Sequence, residues 1–79
     1  MLNIATDRHP GVQHFRGLFN YEHLSEDAQR YSRPFAELAQ FLVDNCKDGA
    51  ELTTALRKIL EAKDAAVRQA LLDQGILKR

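Results

Sequence analysis

The chain has 79 residues, 44% of them hydrophobic, with eleven basic and eleven acidic side chains and one cysteine. A length of this order makes one helical domain at most (residues 1–79) and buries only about 60–65% of its extended surface, so a further subunit is a natural source of extra burial. Zero net charge argues against general attraction to DNA, RNA or anionic lipid, and Cys46 alone excludes an internal disulfide framework.

No stretch has the apolar run of a signal peptide or the length of a membrane span, so a reducing, intracellular setting is expected. Residues 1–11 mix Asn, Thr, Asp, His, Pro and Gly with scattered apolar positions and read as a flexible arm. Pro10-Gly11 within it is a turn signal. Residues 13–20 hold Phe15, Leu18 and Phe19, with the two phenylalanines four apart, and predict a short helix that Gly17 weakens. Asn20 to Leu24 is a connection carrying Tyr21 and His23.

Ser25 is a good N-cap, and Glu26 and Asp27 fall in the favourable first turn. A helix over 25–46 follows. Ala28, Tyr31, Phe35, Leu38, Ala39, Leu42, Val43 and Cys46 make its apolar stripe, and Phe41 lies off it as a satellite or subunit contact. Pro34 has no N–H and crowds the preceding turn, which predicts a kink or break near Arg30–Arg33. In one variant Ser32 caps a restarted helix. Asn45 to Gly49 is a short polar turn that folds the flanking helices into an antiparallel hairpin.

The last and longest element spans 49–72. Leu52, Leu56, Ile59, Ala62, Ala66 and Ala70 recur at spacings of three and four and give one face. Asp48 and Glu51 resemble a reciprocal cap, and Gly75 is a plausible stop. The alanines allow another helix to approach closely. Ile76 to Arg79 form a short tail.

Chemistry is sparse. Cys46, His9, His14 and His23 are too dispersed for a zinc site. Ser25 and Ser32 are better explained as caps than as nucleophiles, Cys46 reads as a buried apolar residue, and no glycine-rich phosphate loop follows a strand. Neither an enzyme nor a cofactor is expected. Arg57 with Glu61, and Asp64 with Arg68, sit four apart and read first as solvated pairs worth a few tenths of a kcal/mol. The same arginines would face a phosphate if another subunit closed over them.

The segment around Tyr21 is more suggestive. An aromatic ring in a polar connection can stack on a base, the helix start that follows offers free N–H groups to a phosphate, and Arg30 and Arg33 can form charge-assisted phosphate bonds. The plainer reading has Tyr21 anchoring its loop to the core and both arginines in solvent.

Several short motifs resemble one family. They are Phe19-Asn20-Tyr21, Leu24-Ser25, the Phe35 and Leu38-Ala39 stripe, Cys46-Lys47-Asp48, Glu51-Leu52, Ala55-Leu56, Lys58-Ile59 and Glu61-Ala62. Together they are similar to the small phage proteins that sequester cyclic nucleotide signals of bacterial defence. The archetype is the anti-CBASS sponge, whose helical hairpin domain is shared with an anti-Thoeris sponge. The likeness covers roughly two-thirds of the chain.

The resemblance implies an all-α, antiparallel helical hairpin with a short N-terminal helix, assembled into a homo-oligomer, often a hexamer. Such a protein would act in the cytoplasm of an infected bacterial host. It would hold a cyclic di- or trinucleotide, or a cyclic ADP-ribose isomer, between protomers without cleaving it. Tyr21 matches the base-stacking tyrosine, Arg33 or Arg30 the phosphate-binding basic residue, and Thr53 and Thr54 the small hydroxyl positions. The chain departs from the family at the end of the last helix, where Leu72 stands for an expected arginine and Arg68 is the nearest substitute, and at Lys47, where a proline is common. The competing expectation is a small structural or interaction protein whose long helix packs on a partner without any nucleotide.

Overall fold

The computed structural model describes residues 1–75; the expected tail, Ile76 to Arg79, lies outside them. The described residues form three helices and no strand: α1 (Pro10–Gln13), α2 (Glu26–Asn45) and α3 (Ala50–Asp73). Helices α2 and α3 pack on each other as a helical hairpin joined by the turn Cys46–Gly49, and the molecule measures 42 × 21 × 17 Å.

Helix α2 starts where its chemistry dictates. The Ser25 hydroxyl accepts the Ala28 N–H at 3.3 Å, and Glu26 and Asp27 occupy the positive first turn. The expected break at Pro34 is absent, and α2 continues through it. Pro34 is exposed, so the helical carbonyl deprived of its donor can turn to water, which lowers the usual cost of an interior proline. Ser32 does not restart a helix; it lies inside α2 with no exposed surface and its hydroxyl is without a protein partner.

Helix α3 ends as expected. Gly75 adopts φ +75°, and its N–H reaches the Leu72 carbonyl at 3.0 Å, the left-handed stop for which glycine is suited. Its start is different from the expected reciprocal cap. Gly49 is the N-cap and offers no side-chain bond, because Asp48 faces the N-terminal segment instead. The expected pairs on α3 do not close either: among the described residues Asp64 meets Lys63 at 2.8 Å, and Arg57 has no ion-pair partner.

The N-terminal segment is the largest correction. Residues 1–11 dock onto the helices through Leu2 and Ile4, which enter the core and are only 3% and 2% exposed. Leu2 N–H donates to Arg16 O at 2.9 Å, and the Asn3 backbone exchanges two hydrogen bonds with the Gln40 side chain. Pro10 does not make a turn; it occupies the first position of α1, where a missing N–H costs nothing. The helix expected at 13–20 is displaced to Pro10–Gln13, and the chain then runs in successive turns through Phe19.

Helix α1 and those turns place Val12, Phe15 and Phe19 inside, the two phenyl rings 6.5 Å apart. The reason lies in α2. Its buried face is Ala28, Ser32, Ala36, Ala39 and Val43, too small to fill a core. The N-terminal segment therefore supplies Leu2, Ile4, Val12, Phe15 and Phe19, against Leu52 and Leu56 of α3. The predicted stripe of α2 is correspondingly rotated. Tyr31, Leu38 and Phe41 are 40%, 48% and 59% exposed, Phe35 and Leu42 only partly buried, and Cys46 is exposed rather than buried.

Candidate functional site

The most developed concavity lies at the start of α3. His9 and Gly11 of the N-terminal segment face Asp48, Gly49, Thr53, Thr54 and Arg57 across a hollow of about 520 Å³. Its position follows from local chemistry. The Arg8 Nε donates to Asp48 Oδ1 at 2.6 Å, and the His9 N–H to Asp48 Oδ2 at 2.7 Å. This draws the segment onto the interhelical turn. Gly11 allows the approach: a Cβ there would lie 3.1 Å from His9 Nδ1 and 3.5 Å from Thr53 Oγ1.

The electrostatics of the hollow favour an anion. Helix α3 is 24 residues long with no side-chain cap, so its first N–H groups are open, while Glu51 in the first turn offsets part of the positive dipole end. Arg57 lies on the same face one turn after Thr53 and Thr54. The two hydroxyls donate back to Gly49 O at 3.3 Å and Ala50 O at 2.9 Å, a local arrangement that a better acceptor can replace by rotation of the hydroxyl. Asp48 stays ionised, its pKa lowered by the His9 N–H first and by Arg8 second, and the Arg8 guanidinium at 2.6 Å balances its charge.

The other residues singled out from sequence lie elsewhere. Tyr21 is half-buried and packs against the core, with Glu22 and Glu37 beside it in a smaller hollow of about 190 Å³. Glu22 has its pKa lowered by backbone N–H groups, its own and that of Tyr21, so an ionised carboxylate borders the ring. Arg33 lies near this hollow through Glu37, Nε to Oε1 3.7 Å, while Arg30 pairs with Asp27 at 3.6 Å. Arg68 lines a third hollow with Asn20, His23 and Lys63, where the Asn20 Oδ1 is buried without a partner.

Thr53 and Thr54 are thus brought together with His9 and Arg57, whereas Tyr21, Arg30, Arg33 and Arg68 do not join them within one protomer. Sequence reasoning paired Arg57 with Glu61 first and gave it to a phosphate only under a second subunit. The available signal was its i,i+4 spacing from Thr53, which puts both on one face. His9 had no local signal, because its placement depends on a contact across 39 positions. No group of His, Cys, Asp or Glu among the described residues is arranged to hold a metal ion, and no described helix is long and apolar enough to cross a membrane. No family model matches the chain, and neither the curated proteins nor the solved structures give a match.

Proposed function

We propose that the chain is a ligand-holding protein that assembles with copies of itself and sequesters a small cyclic nucleotide, without cleaving it, in the cytoplasm of an infected bacterium. The observation that carries this reading is the hollow at the start of α3. There two threonine hydroxyls, Arg57 and an uncapped helix N-terminus converge, a donor set suited to a phosphodiester. The family resemblance supplies the class of ligand.

Tyr21 enters this reading only through assembly. In one protomer Glu22 and Glu37 line the same hollow as Tyr21, and their carboxylates repel a phosphate. A second protomer would have to bring cations over that hollow, and Arg33, already beside Glu37, would have to turn from it to the ligand. The Tyr21 hollow is therefore a base-stacking site only in an oligomer.

Calorimetry against cyclic di- and trinucleotides and cyclic ADP-ribose isomers tests the proposal. Saturable heat from one of them, with a matching rise in melting temperature and no response to linear mononucleotides, is expected. An absence of heat from every member of the panel overturns it. A second reading, an interaction protein without a nucleotide, is favoured by one observation: Tyr31, Leu38 and Phe41 leave an apolar face uncovered. That face is on α2, not on the longer α3.

A further inference from the structure

Toward the far end of α3, Lys63, Asp64, Val67 and Arg68 recur at spacings of three and four and share one face of the helix. They line a hollow of about 360 Å³ together with residues of the segment before α2, Asn20 and His23 among them. That volume is at the low end of small-molecule sites. Arg68 lies eleven residues beyond Arg57, about 16 Å along the helix, so this is a different place from the hollow at the start of α3.

The charges in it are unevenly paired. Asp64 is spaced to meet Arg68 but bonds to Lys63, its neighbour in sequence, at 2.8 Å. Adjacent positions on a helix do not face each other. The carboxylate has therefore turned to the more covered cation, Lys63, whose side chain is only 14% exposed. Lys63 and Asp64 cancel, and Arg68 has no ion-pair partner among the described residues. The hollow thus presents one uncompensated positive charge, carried on a planar fork that matches a carboxylate bidentately. A dianionic phosphate monoester would bring a second charge with only the Lys63–Asp64 pair to meet it.

A neutral group adds a second requirement. The Asn20 Oδ1 is buried without a partner, which costs about 1–3 kcal/mol for an acceptor left unmade. The torsion that carries the amide is soft, so the oxygen can turn to a donor in the hollow. The remaining wall is apolar: Leu24 and Val67 are half-buried, and Leu18 is 40% exposed.

We infer that this hollow binds a small monocarboxylate with an apolar body and an N–H or O–H beside the carboxylate, as in an N-acylated or α-hydroxylated branched-chain acid. Arg68 takes the carboxylate, Asn20 accepts from the neutral donor, and Leu18, Leu24 and Val67 cover the apolar body. The inference does not rest on the nucleotide or on assembly.

The test is an NMR titration of the full chain with N-acetyl-leucine. Saturable shifts below about 10 mM are expected, including the Asn20 side-chain amide and the Arg68 guanidinium. N-acetyl-leucinamide keeps the N–H and the apolar body without the carboxylate and should bind at least about tenfold more weakly. 4-Methylpentanoate keeps the carboxylate without the N–H and should bind severalfold more weakly. Arg68→Gln, at an exposed position, should keep the helical circular dichroism and lose at least about tenfold in affinity. No saturation by about 10 mM, shifts that leave Asn20 and Arg68 unmoved, or equal binding of the amide or by Arg68→Gln overturns the inference. Displacement of the probe by a cyclic nucleotide at equal concentration would also overturn it and give this hollow to the nucleotide.

Discussion

Arg8 and Asp48 are forty residues apart in sequence and 2.6 Å apart in space. The guanidinium also donates to Val43 O at 2.8 Å and Cys46 O at 2.9 Å, satisfying carbonyls at and just beyond the C-terminal end of α2 that the helix itself leaves open. One side chain thus closes α2, holds the turn and fixes the N-terminal segment. Arg8→Ala should lower stability by about 1–3 kcal/mol, the range for leaving buried or half-buried acceptors unpaired. Arg8→Lys should rescue little, because an ammonium lacks the fork that spans three acceptors. Urea denaturation of the three proteins measures this.

The same contact predicts an acid-sensitive fold. The pKa of Asp48 lies below its ordinary 3.8 because the His9 N–H, then Arg8, favour the carboxylate; that of Glu22 lies below 4.5 because of its own N–H and that of Tyr21. A group with a depressed folded-state pKa contributes stability that is fully present above its unfolded pKa and is lost as pH falls through the folded value. The melting temperature should stay level from neutral pH to about pH 5 and fall below about pH 4. Asp48→Asn should be less stable at neutral pH and show a shallower acid decline. A melting series from neutral to acid pH checks both slopes.

Phe19 is 1% exposed and sits beside Phe15. Phe19→Ala removes most of an aromatic ring from a core that α2 lines with alanine, so collapse cannot refill the space. A loss of about 3–5 kcal/mol is expected. Removing residues 1–8 would uncover the same core and break the Arg8 contacts, and should leave a chain with weakened helical circular dichroism and no sharp thermal transition.

Ser25 and Gly75 marked helix ends correctly because capping is local chemistry, readable from a few neighbouring residues. The inner face of α2 was read in part: Ala28, Ala39 and Val43 are buried as expected, but the rest was missed because size is a poor guide to burial where helices approach closely. Tyr31 and Leu38 outrank Ala36 and Ser32 in apolar surface, yet Ala36 and Ser32 are the buried pair. The N-terminal segment was misread for a related reason. Its composition is that of a loop, and Leu2, Ile4 and Arg8 are placed by partners far along the chain. The candidate hollow was half legible: Thr53 and Thr54, singled out from sequence, line it, but the uncapped start of α3 became visible only once Asp48 turned to Arg8.

Arg57 and Arg33 separate the two ways in which a cyclic nucleotide could be held. Both are exposed, and the one ion pair involved, Arg33 with Glu37, is solvated on both sides, so Arg57→Ala and Arg33→Ala should each cost less than about 0.5 kcal/mol in stability. Any larger effect on binding then belongs to the ligand. A lost charge-assisted bond to phosphate corresponds to about a tenfold or greater rise in Kd. Arg57→Ala should show that rise if the hollow at the start of α3 takes the phosphate. Arg33→Ala and Tyr21→Phe should be informative as a pair: a stacking ring survives loss of its hydroxyl, so Tyr21→Phe should leave Kd within about twofold, while Tyr21→Ala raises it. Weakening by Arg57→Ala alone would place the ligand within one protomer, and weakening by Arg33→Ala and Tyr21→Ala together would place it where two copies meet.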